Sequence, residues 1–223
     1  MEKIKVFIDA GHGGRDSGAT NLDGSVLEKD IVLSVANKLN NLLINCGYFE
    51  VMLTRTNDIT CSLSYRSDNA NKWGADIFVS IHCNSSKNHN GFGIETYAYS
   101  EKYKKLATFI HSSLIECGIY SQDRGVKYAD YHVLRETNMN ACLVELGFID
   151  IQKDLDILLT NQDNFAKAIY KGILNYYNLI DNTKNDKLYK VVVDSYRIKE
   201  NANKRVEELR EQGIKSFIME VDE

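Results

Sequence analysis

Apolar residues in the first part of the chain alternate between strand-length runs and longer stretches with helical spacing. Residues 5–9 form a short apolar run that ends in Ala-Gly-His-Gly-Gly, which predicts a buried strand followed by a glycine-rich turn. From Glu28 to Leu43 apolar residues recur at steps of three and four, and Gly47 follows, a pattern typical of an amphipathic helix. Residues 75–84 are almost continuously apolar, as expected for a strand covered on both faces.

The same alternation continues along the chain. Further strands are predicted at residues 49–54, 93–99 and 141–146, and further helices at residues 63–73, 102–117 and 162–177. This order predicts an α/β fold with a mostly parallel twisted sheet and helices on both faces. Sites in such sheets gather at the carboxyl ends of strands. Because His12, His82 and Glu145 fall at or near predicted strand ends, we expect them to converge.

The pattern changes near the C-terminus. Residues 181–187 are polar and aperiodic, which predicts a linker between a domain at residues 1–180 and a small unit at residues 188–223. Within that unit, strands are predicted at residues 188–195 and 215–221, on either side of a helix at residues 199–211. A β-α-β unit of fewer than 40 residues is too small to bury much surface alone.

Charge and composition exclude several classes of partner. The net charge is −4, with 27 Lys and Arg against 31 Asp and Glu, so no cationic excess favours nucleic acid or an anionic membrane surface. No signal peptide or membrane-spanning run is visible in the sequence. The five cysteines include no Cys-x-x-Cys pair, which argues against a disulfide framework or a cysteine zinc site and favours buried, unreactive thiols.

Two histidines and one acid have the residue types of a catalytic zinc site. His12 and His82 at strand ends, with Glu28 at a helix entrance, could supply three protein ligands and leave a fourth position for water. Zinc lowers the pKa of its water toward ~7 and polarises a carbonyl, while an unliganded carboxylate such as Glu145 moves the proton. The donors are scattered, however, and no compact His-Glu-x-x-His motif is present.

Each of these residues also has an ordinary structural explanation. His12 could be a solvated turn histidine, and His82 could be a buried histidine bonded to backbone. An acid such as Glu28 is favoured in the first turn of any helix by the macrodipole. Glu145 is harder to explain in this way, because a charge in the run Cys-Leu-Val-Glu-Leu-Gly-Phe is costly unless it is paired, lies beside a metal or has a function.

Four ordered sequence blocks surround these residues. The blocks are Asp9-Ala-Gly-His12-Gly-Gly, Glu28 just ahead of a helix, Val79-Ser-Ile-His82-Cys-Asn84, and Leu143-Val-Glu145-Leu-Gly-Phe148. In order and spacing they resemble the N-acetylmuramoyl-L-alanine amidases of the amidase-3 family, as does Leu53-Thr-Arg55-Thr followed by Arg66 and Ala70-Asn71. The resemblance covers about residues 4–177.

This resemblance implies a zinc hydrolase that acts on peptidoglycan. One zinc ion per chain would be held by His12, Glu28 and His82, and Glu145 would be the catalytic acid/base. The bond cut would be the amide between the lactyl group of N-acetylmuramic acid and the first L-alanine of the stem peptide. Cys83 stands where the family often has a small residue, and strand alternation turns it away from His82, so we expect it to pack and not to bind metal.

The remaining histidines and two arginines are expected to have lesser roles. His89 in a polar loop and His111 in a predicted surface helix are expected to be solvated. His132 lies in a segment that the family usually places beside the substrate cleft, but a substrate contact is the less favoured expectation. Arg55 and Arg66 are expected to stabilise the fold through carboxylate pairs, although arginine could also bind the acidic stem peptide.

The C-terminal unit resembles one half of a SPOR domain, a peptidoglycan-binding module built from two β-α-β repeats. A lone repeat exposes strand edges, so two chains are expected to pair through residues 188–223, with a tail docked on the amidase core as the alternative. A wall-cutting domain without a visible export signal suggests synthesis in the cytoplasm and action on the cell wall after holin-mediated release or lysis. This would fit a phage endolysin or an autolysin.

Other functions remain open at the sequence level. A non-catalytic peptidoglycan-binding protein would be expected to have lost ligands, whereas all four key residues are present. A zinc hydrolase of another amide substrate would share the same residues. A glycosidase is less favoured, because no independent pair of carboxylates stands out.

Overall fold

The structure, a computed structural model, describes residues 2–120, 122–181, 194–214, 216–218 and 220. It divides into two compact units, Met1–Lys184 and Asn185–Glu223. This division falls inside the predicted linker at residues 181–187. That the second unit acts as a separate domain stays a prediction.

Six strands form one sheet in the described part of the first unit. They are β1 (Ile4–Ala10), β2 (Phe49–Leu53), β3 (Ile77–Asn84), β4 (Ile94–Ala98), β5 (Asp123–Tyr128) and β6 (Asn140–Phe148). The strand order is β2-β1-β3-β6-β4-β5. The first four strands in this order are mutually parallel, β4 runs antiparallel to β6, and β5 is parallel to β4.

Helices cover both faces of this sheet. Those of the first unit are α1 (Glu28–Asn45), α2 (Leu63–Trp73), α3 (Lys104–Glu116), α4 (His132–Arg135), α5 (Gln152–Thr160) and α6 (Gln162–Tyr177). The larger core packs α1, α3, α5 and α6 on one face, and the smaller core packs α2 and α4 on the other. The predicted α/β fold with a mostly parallel sheet is therefore confirmed.

Alternation along the strands explains why both faces are apolar. In β1, Val6 and Ile8 enter the larger core and Phe7 enters the smaller one. In β3, Val79 enters the larger core and Phe78 enters the smaller one. Successive side chains of a strand point to opposite faces, so a strand covered on both sides must be continuously apolar.

Three elements of the structure lie outside the predicted pattern. Strand β5 has the sequence Asp-Arg-Gly-Val-Lys-Tyr at the edge of the sheet, where charged residues are tolerated and no apolar alternation is needed. Helix α4 has only four residues, and α5 is separated from α6 by Asn161 alone. Strand β5 is too polar and α4 too short to give a periodic signal, whereas α5 buries Leu155 and Leu158 at a helical spacing from which it could have been predicted.

In the second unit, α7 (Lys199–Glu211) lies where a helix is predicted. Residues 188–193, 215, 219 and 221 of the two predicted flanking strands lie outside the described residues. Their described residues, 194–195, 216–218 and 220, are not in strands. Contacts still tie both flanks to the helix, because Arg205 Nε donates to Asp194 at 2.8 Å and Ser216 Oγ donates to the carbonyl of Val206 at 3.3 Å.

No helix in the described ranges is long and apolar enough to cross a lipid bilayer.

Candidate metal centre

The predicted site residues converge at one edge of the sheet. His12 follows β1, His82 lies near the end of β3 and Glu145 lies in β6. These strands are parallel, so their carboxyl ends meet at one edge. His82 and Glu145 are direct partners in the ladder, and Glu28 is brought to the same place at the start of α1.

His12, Glu28 and His82 form a group that could hold a metal ion. One donor atom from each residue lies within 4.8 Å of the others. Glu28 Oε1 is 2.9 Å from His82 Nδ1, and Glu28 Oε2 is 3.2 Å from His12 Nε2. Two imidazoles and one carboxylate are a donor set of catalytic zinc sites, so the residues present fit that metal.

The carboxylate of Glu28 is buried and tightly held. Its Oε2 accepts the backbone N–H of Ala19 at 2.7 Å, and its Oε1 accepts that of Cys83 at 2.8 Å. Burial raises the pKa of Glu28, but hydrogen bonds from His12 and His82 outweigh it and hold the pKa well below the usual range. The group is therefore a fixed negative charge beside the two imidazoles.

Pairing with Glu28 also raises the pKa of both histidines. Burial lowers the pKa of His82, but its hydrogen bond with Glu28 and the charge of Glu28 outweigh this and raise the pKa to about 9. The pKa of His12 is raised in the same way against the effect of burial. A metal cation would replace this shared positive charge, because ligating histidines must be neutral.

His12 sits in a left-handed backbone conformation with φ of 56°. This conformation is uncommon for a residue other than glycine and marks a constrained position. Asp16 Oδ2 lies 2.9 Å from His12 Nδ1, which orients the ring so that Nε2 faces Glu28. A carboxylate behind a histidine commonly fixes a metal ligand in this way. Sequence reasoning did not identify Asp16, although it lies four residues after the histidine.

Arg66 supports the His12 turn from inside the protein. Its Nη2 donates to the carbonyl of His12 at 2.7 Å, and its Nη1 donates to Asp9 Oδ1 at 2.6 Å. Asp9 is fully buried and also accepts hydroxyl groups from Thr54 and Ser80. The expected carboxylate pair therefore exists for Arg66.

Arg55 does not have the expected carboxylate pair among the described residues and instead donates to backbone carbonyls. Its Nη2 donates to Gly11 at 2.7 Å and to Lys29 at 2.8 Å. Gly11 precedes His12 and Lys29 follows Glu28, so this one guanidinium ties together the chain segments that carry two of the donors.

Two glycines lie against the donor residues, where a larger side chain would not fit. A Cβ on Gly11 would lie 2.3 Å from His82 Cε1. A Cβ on Gly18 would lie 2.5 Å from Glu28 Oε2 and 2.6 Å from His12 Cδ2. No real Cβ makes contacts so short, so any side chain here must displace the donors.

Glu145 lies between His82 and a second acid, Glu95, in one row across the sheet. It is the ladder partner of His82 on one side and of Glu95 on the other. Its Oε2 is buried and has no hydrogen-bond partner among the described residues. Burial raises the pKa of Glu145 to about 7. A carboxyl group with this pKa can both take and return a proton near neutral pH.

Sequence reasoning missed Glu95. Its side chain is only 3% exposed, and it accepts Arg124 Nε at 2.7 Å, Lys127 Nζ, and the hydroxyl of Tyr97 at 2.7 Å. Asn84 Nδ2 also donates to it at 2.5 Å. A signal was available in the sequence, because Glu95 lies in the strand predicted at residues 93–99, directly after the apolar Ile94.

The other three histidines differ in their exposure and in their hydrogen-bond partners. His111 is buried, not solvated as expected, because its ring bridges Thr96 Oγ1 at 3.0 Å and Asp123 Oδ1 at 2.7 Å. His89 is exposed, as expected, with Nδ1 2.7 Å from Asp150. His132 lies 3.3 Å from Ser67 Oγ.

The cysteines follow the expected pattern only in part. All five are free thiols, and Cys46, Cys83 and Cys142 are buried. Cys83 packs in the larger core, away from the metal donors, as expected. Cys117 is exposed and Cys61 is partly exposed, so the expectation of burial was wrong for Cys117 and only partly right for Cys61.

The model of the amidase-3 family, described as N-acetylmuramoyl-L-alanine amidase, matches residues 6–175. The matched range contains His12, Glu28, His82 and Glu145. This chain belongs to the N-acetylmuramoyl-L-alanine amidase family. Members of this family are hydrolases, so the protein is an enzyme and the alternative of a non-catalytic binding protein is not supported.

This amidase is similar to proteins of a bacterium and of a bacteriophage. The sporulation-specific N-acetylmuramoyl-L-alanine amidase of Bacillus subtilis (strain 168) is 37% identical over 222 residues, which cover 97% of this chain and 84% of that protein. The endolysin of Bacillus phage SPP1 is 38% identical over 179 residues, which cover 77% of this chain and 64% of that protein.

Solved amidase structures share the fold of the first unit. The catalytic domain of CwlV, an N-acetylmuramoyl-L-alanine amidase from Bacillus (Paenibacillus) polymyxa var. colistinus, matches with a TM-score of 0.76 and 36% identity, covering 79% of this chain and 99% of that one. The CwlD amidase from Clostridioides difficile, solved with the GerS lipoprotein, matches with a TM-score of 0.75 and 32% identity, covering 79% and 99%.

Replacing Gly18 should disturb the donors of this amidase directly. Gly18→Ala is expected to weaken zinc binding by roughly tenfold or more, as loss of support for a metal ligand typically does. Gly24→Ala is the matched control, because its φ of 74° resembles the 67° of Gly18 but no atom lies within 4 Å of the added Cβ. Competition with a chromophoric chelator measures both affinities. Equal zinc affinities in the two variants would contradict the placement of the donors.

Removing Arg66 should destabilise the fold around the His12 turn. Arg66→Gln leaves the buried Asp9 without its cation, so we expect a loss of about 3–5 kcal/mol in the free energy of unfolding. The control is Lys38→Gln, which breaks an exposed ion pair with Asp163 and should cost less than about 1 kcal/mol. Urea denaturation compares the two. A loss for Arg66→Gln no greater than the control would show that the buried pair is not structural.

Proposed function

We propose that this protein uses one zinc ion to hydrolyse the amide bond between N-acetylmuramic acid and L-alanine in peptidoglycan. His12, Glu28 and His82 hold the metal, and Glu145 is the catalytic acid/base. The observation that carries the proposal is the row of groups at one sheet edge. There, three clustered donors lie beside a carboxyl oxygen that has no hydrogen-bond partner in the described ranges.

The three donor residues suit zinc in their chemical type and in the contacts that hold them in place. When bound there, zinc would supply Lewis-acid polarisation of the scissile carbonyl and activation of a water molecule. Glu28 provides the charged ligand, and Asp16 and the backbone amides that bind Glu28 hold the donors in place. Such fixed surroundings are typical of metal sites whose ligands must not reorganise.

Glu145 is suited to proton transfer and not to ligation. It is not part of the donor cluster formed by His12, Glu28 and His82. Its Oε2 is the atom at which a proton taken from water would be held before transfer to the leaving nitrogen. This buried oxygen has no competing hydrogen bond within the described part of the chain, so its capacity is kept for the substrate.

The substrate class follows from the relatives. Proteins similar to this chain along most of its length are named N-acetylmuramoyl-L-alanine amidase and endolysin. We therefore place the action of this protein at the bacterial cell wall, as an autolysin or a phage endolysin that reaches the wall after lysis or holin-mediated release.

The C-terminal unit is proposed to pair two chains or to bind the wall. Alignment with the B. subtilis amidase covers 97% of this chain and so extends past Lys184 into the second unit. That unit presents exposed apolar side chains, among them Phe217 at 73% and Ile198 at 60% exposure. A contiguous exposed patch of such side chains would mark a surface for a partner.

Pairing predicts a dimer that depends on Phe217. Phe217→Glu should turn a dimer of the full-length chain into a monomer at micromolar concentration, as measured by analytical ultracentrifugation. Leu22→Glu is a matched control, since Leu22 is 72% exposed but lies in the first unit. A wild-type chain that sediments only as a monomer would exclude pairing and leave wall binding.

Glu145→Gln tests the proposed chemistry. The amide has the same shape but cannot take a proton, so turnover of purified peptidoglycan should fall by roughly 10²–10⁴-fold. The variant should keep one zinc ion per chain, whereas His82→Ala should lose zinc affinity. Zinc content is measured by atomic emission and turnover by the release of new amino groups.

Glu136→Gln serves as the control, because Glu136 is an exposed acid that pairs with Arg135. It should keep wild-type turnover. Near-normal turnover of Glu145→Gln would remove Glu145 from the mechanism, while zinc retained by His82→Ala would remove the proposed ligand set.

A further inference from the structure

The sheet face that carries the metal donors continues past Glu145 onto β4. Glu95 is the ladder partner of Glu145, so its side chain points to the same face. Helix α3 packs on the opposite face of β4, which carries Ile94 and Ala98. Tyr97 lies on the Glu95 side, with the half-exposed ring of Tyr131 packed against it at 5.3 Å.

Glu95 fixes two cations on this face. Its Oε2 accepts both Arg124 Nε, at 2.7 Å, and Lys127 Nζ. Glu95 is almost fully buried, whereas the Arg124 and Lys127 side chains are 32% and 38% exposed. Both cationic side chains therefore present part of their surface to solvent.

Arg124 is held in place, but part of its hydrogen-bonding capacity is unused. Only its Nε forms a hydrogen bond within the described part of the chain, which leaves Nη1 and Nη2 available. Its guanidinium carbon lies 4.9 Å from the centre of the Phe148 ring, which restrains the plane of the group. A planar guanidinium with a free pair of N–H donors matches the two oxygens of a carboxylate.

The position of this cation relates it to the proposed reaction. Glu95 and Glu145 are on adjacent strands, which lie about 5 Å apart in a sheet. Arg124 is bonded to Glu95, so it lies on the strand next to the one that follows Glu145 across the sheet, close to where Glu145 would act. The stem peptide of the proposed substrate is acidic, and a guanidinium is the side chain best matched to a carboxylate of that stem.

We propose that Arg124 binds a carboxylate of the substrate's peptide stem, with Lys127 adding a second positive charge and Glu95 positioning both. This inference rests on the proposed amidase function and deepens it, because it assigns to β5 a preference for stems with a free carboxylate over amidated stems.

Two synthetic muramyl peptides test this assignment. They are identical except that the second stem residue carries a free carboxylate in one and a carboxamide in the other. The wild-type full-length enzyme should show a higher kcat/KM for the carboxylate, by roughly tenfold or more, since hydrogen bonds to charged groups are strong. Most of the difference should lie in KM, because the contact forms on binding.

Variants of Arg124 separate binding from support of the fold. Arg124→Gln should lose more kcat/KM on the carboxylate substrate than on the carboxamide, which removes most of the preference. Arg124→Lys keeps a charge for Glu95 but loses the paired donors, so it should show an intermediate preference. Arg135→Gln breaks a comparable arginine–carboxylate contact through Nε at 2.7 Å and should keep the wild-type preference.

The proposal is overturned if the wild-type enzyme does not distinguish the two substrates, or if Arg124→Gln lowers both rates by one factor. Calorimetry with the free stem peptides, carboxylate and carboxamide, measures the same preference without cleavage. If the wild type binds the carboxylate peptide through Arg124 but cleaves neither substrate, the proposed hydrolysis fails and the subsite stands. If it shows neither preference nor cleavage, both fail.

Discussion

The candidate site depends on one buried carboxylate, that of Glu28, held between two imidazoles. A buried charge is costly unless it is paired and hydrogen-bonded, and here two backbone amides and two histidines supply the partners. The surrounding features follow from this requirement. Gly11 and Gly18 leave space for the rings, and Arg55 joins the turn before His12 to the first turn of α1.

The parallel sheet then places the remaining chemistry beside this carboxylate. One ladder position runs from His82 through Glu145 to Glu95, so a candidate metal donor, the proposed proton carrier and the acid that holds two cations lie in a single row. Their order follows the strand order β3-β6-β4. The proposed carboxylate subsite thus lies on the far side of Glu145 from the candidate metal donors.

Much of this arrangement could be predicted from local sequence, and part of it could not. Continuous apolar runs predicted the buried strands, and the order of four blocks brought His12, Glu28, His82 and Glu145 to attention. The support of the site was not visible, because Arg124 and Glu95 are 29 positions apart and meet only once β4 and β5 pair. His111 was placed wrongly because Asp123, its partner, lies on an edge strand without apolar alternation.

The central claim is that a metal held by these residues directs cleavage of one amide bond in the cell wall. The most direct measurement identifies the chain ends released from purified peptidoglycan by the native enzyme, after chelation, and after zinc is restored. The account predicts new alanine amino termini without reducing sugars, lost on chelation and recovered with zinc. New reducing ends, or alanine termini that persist in a protein shown to be free of metal, would contradict it.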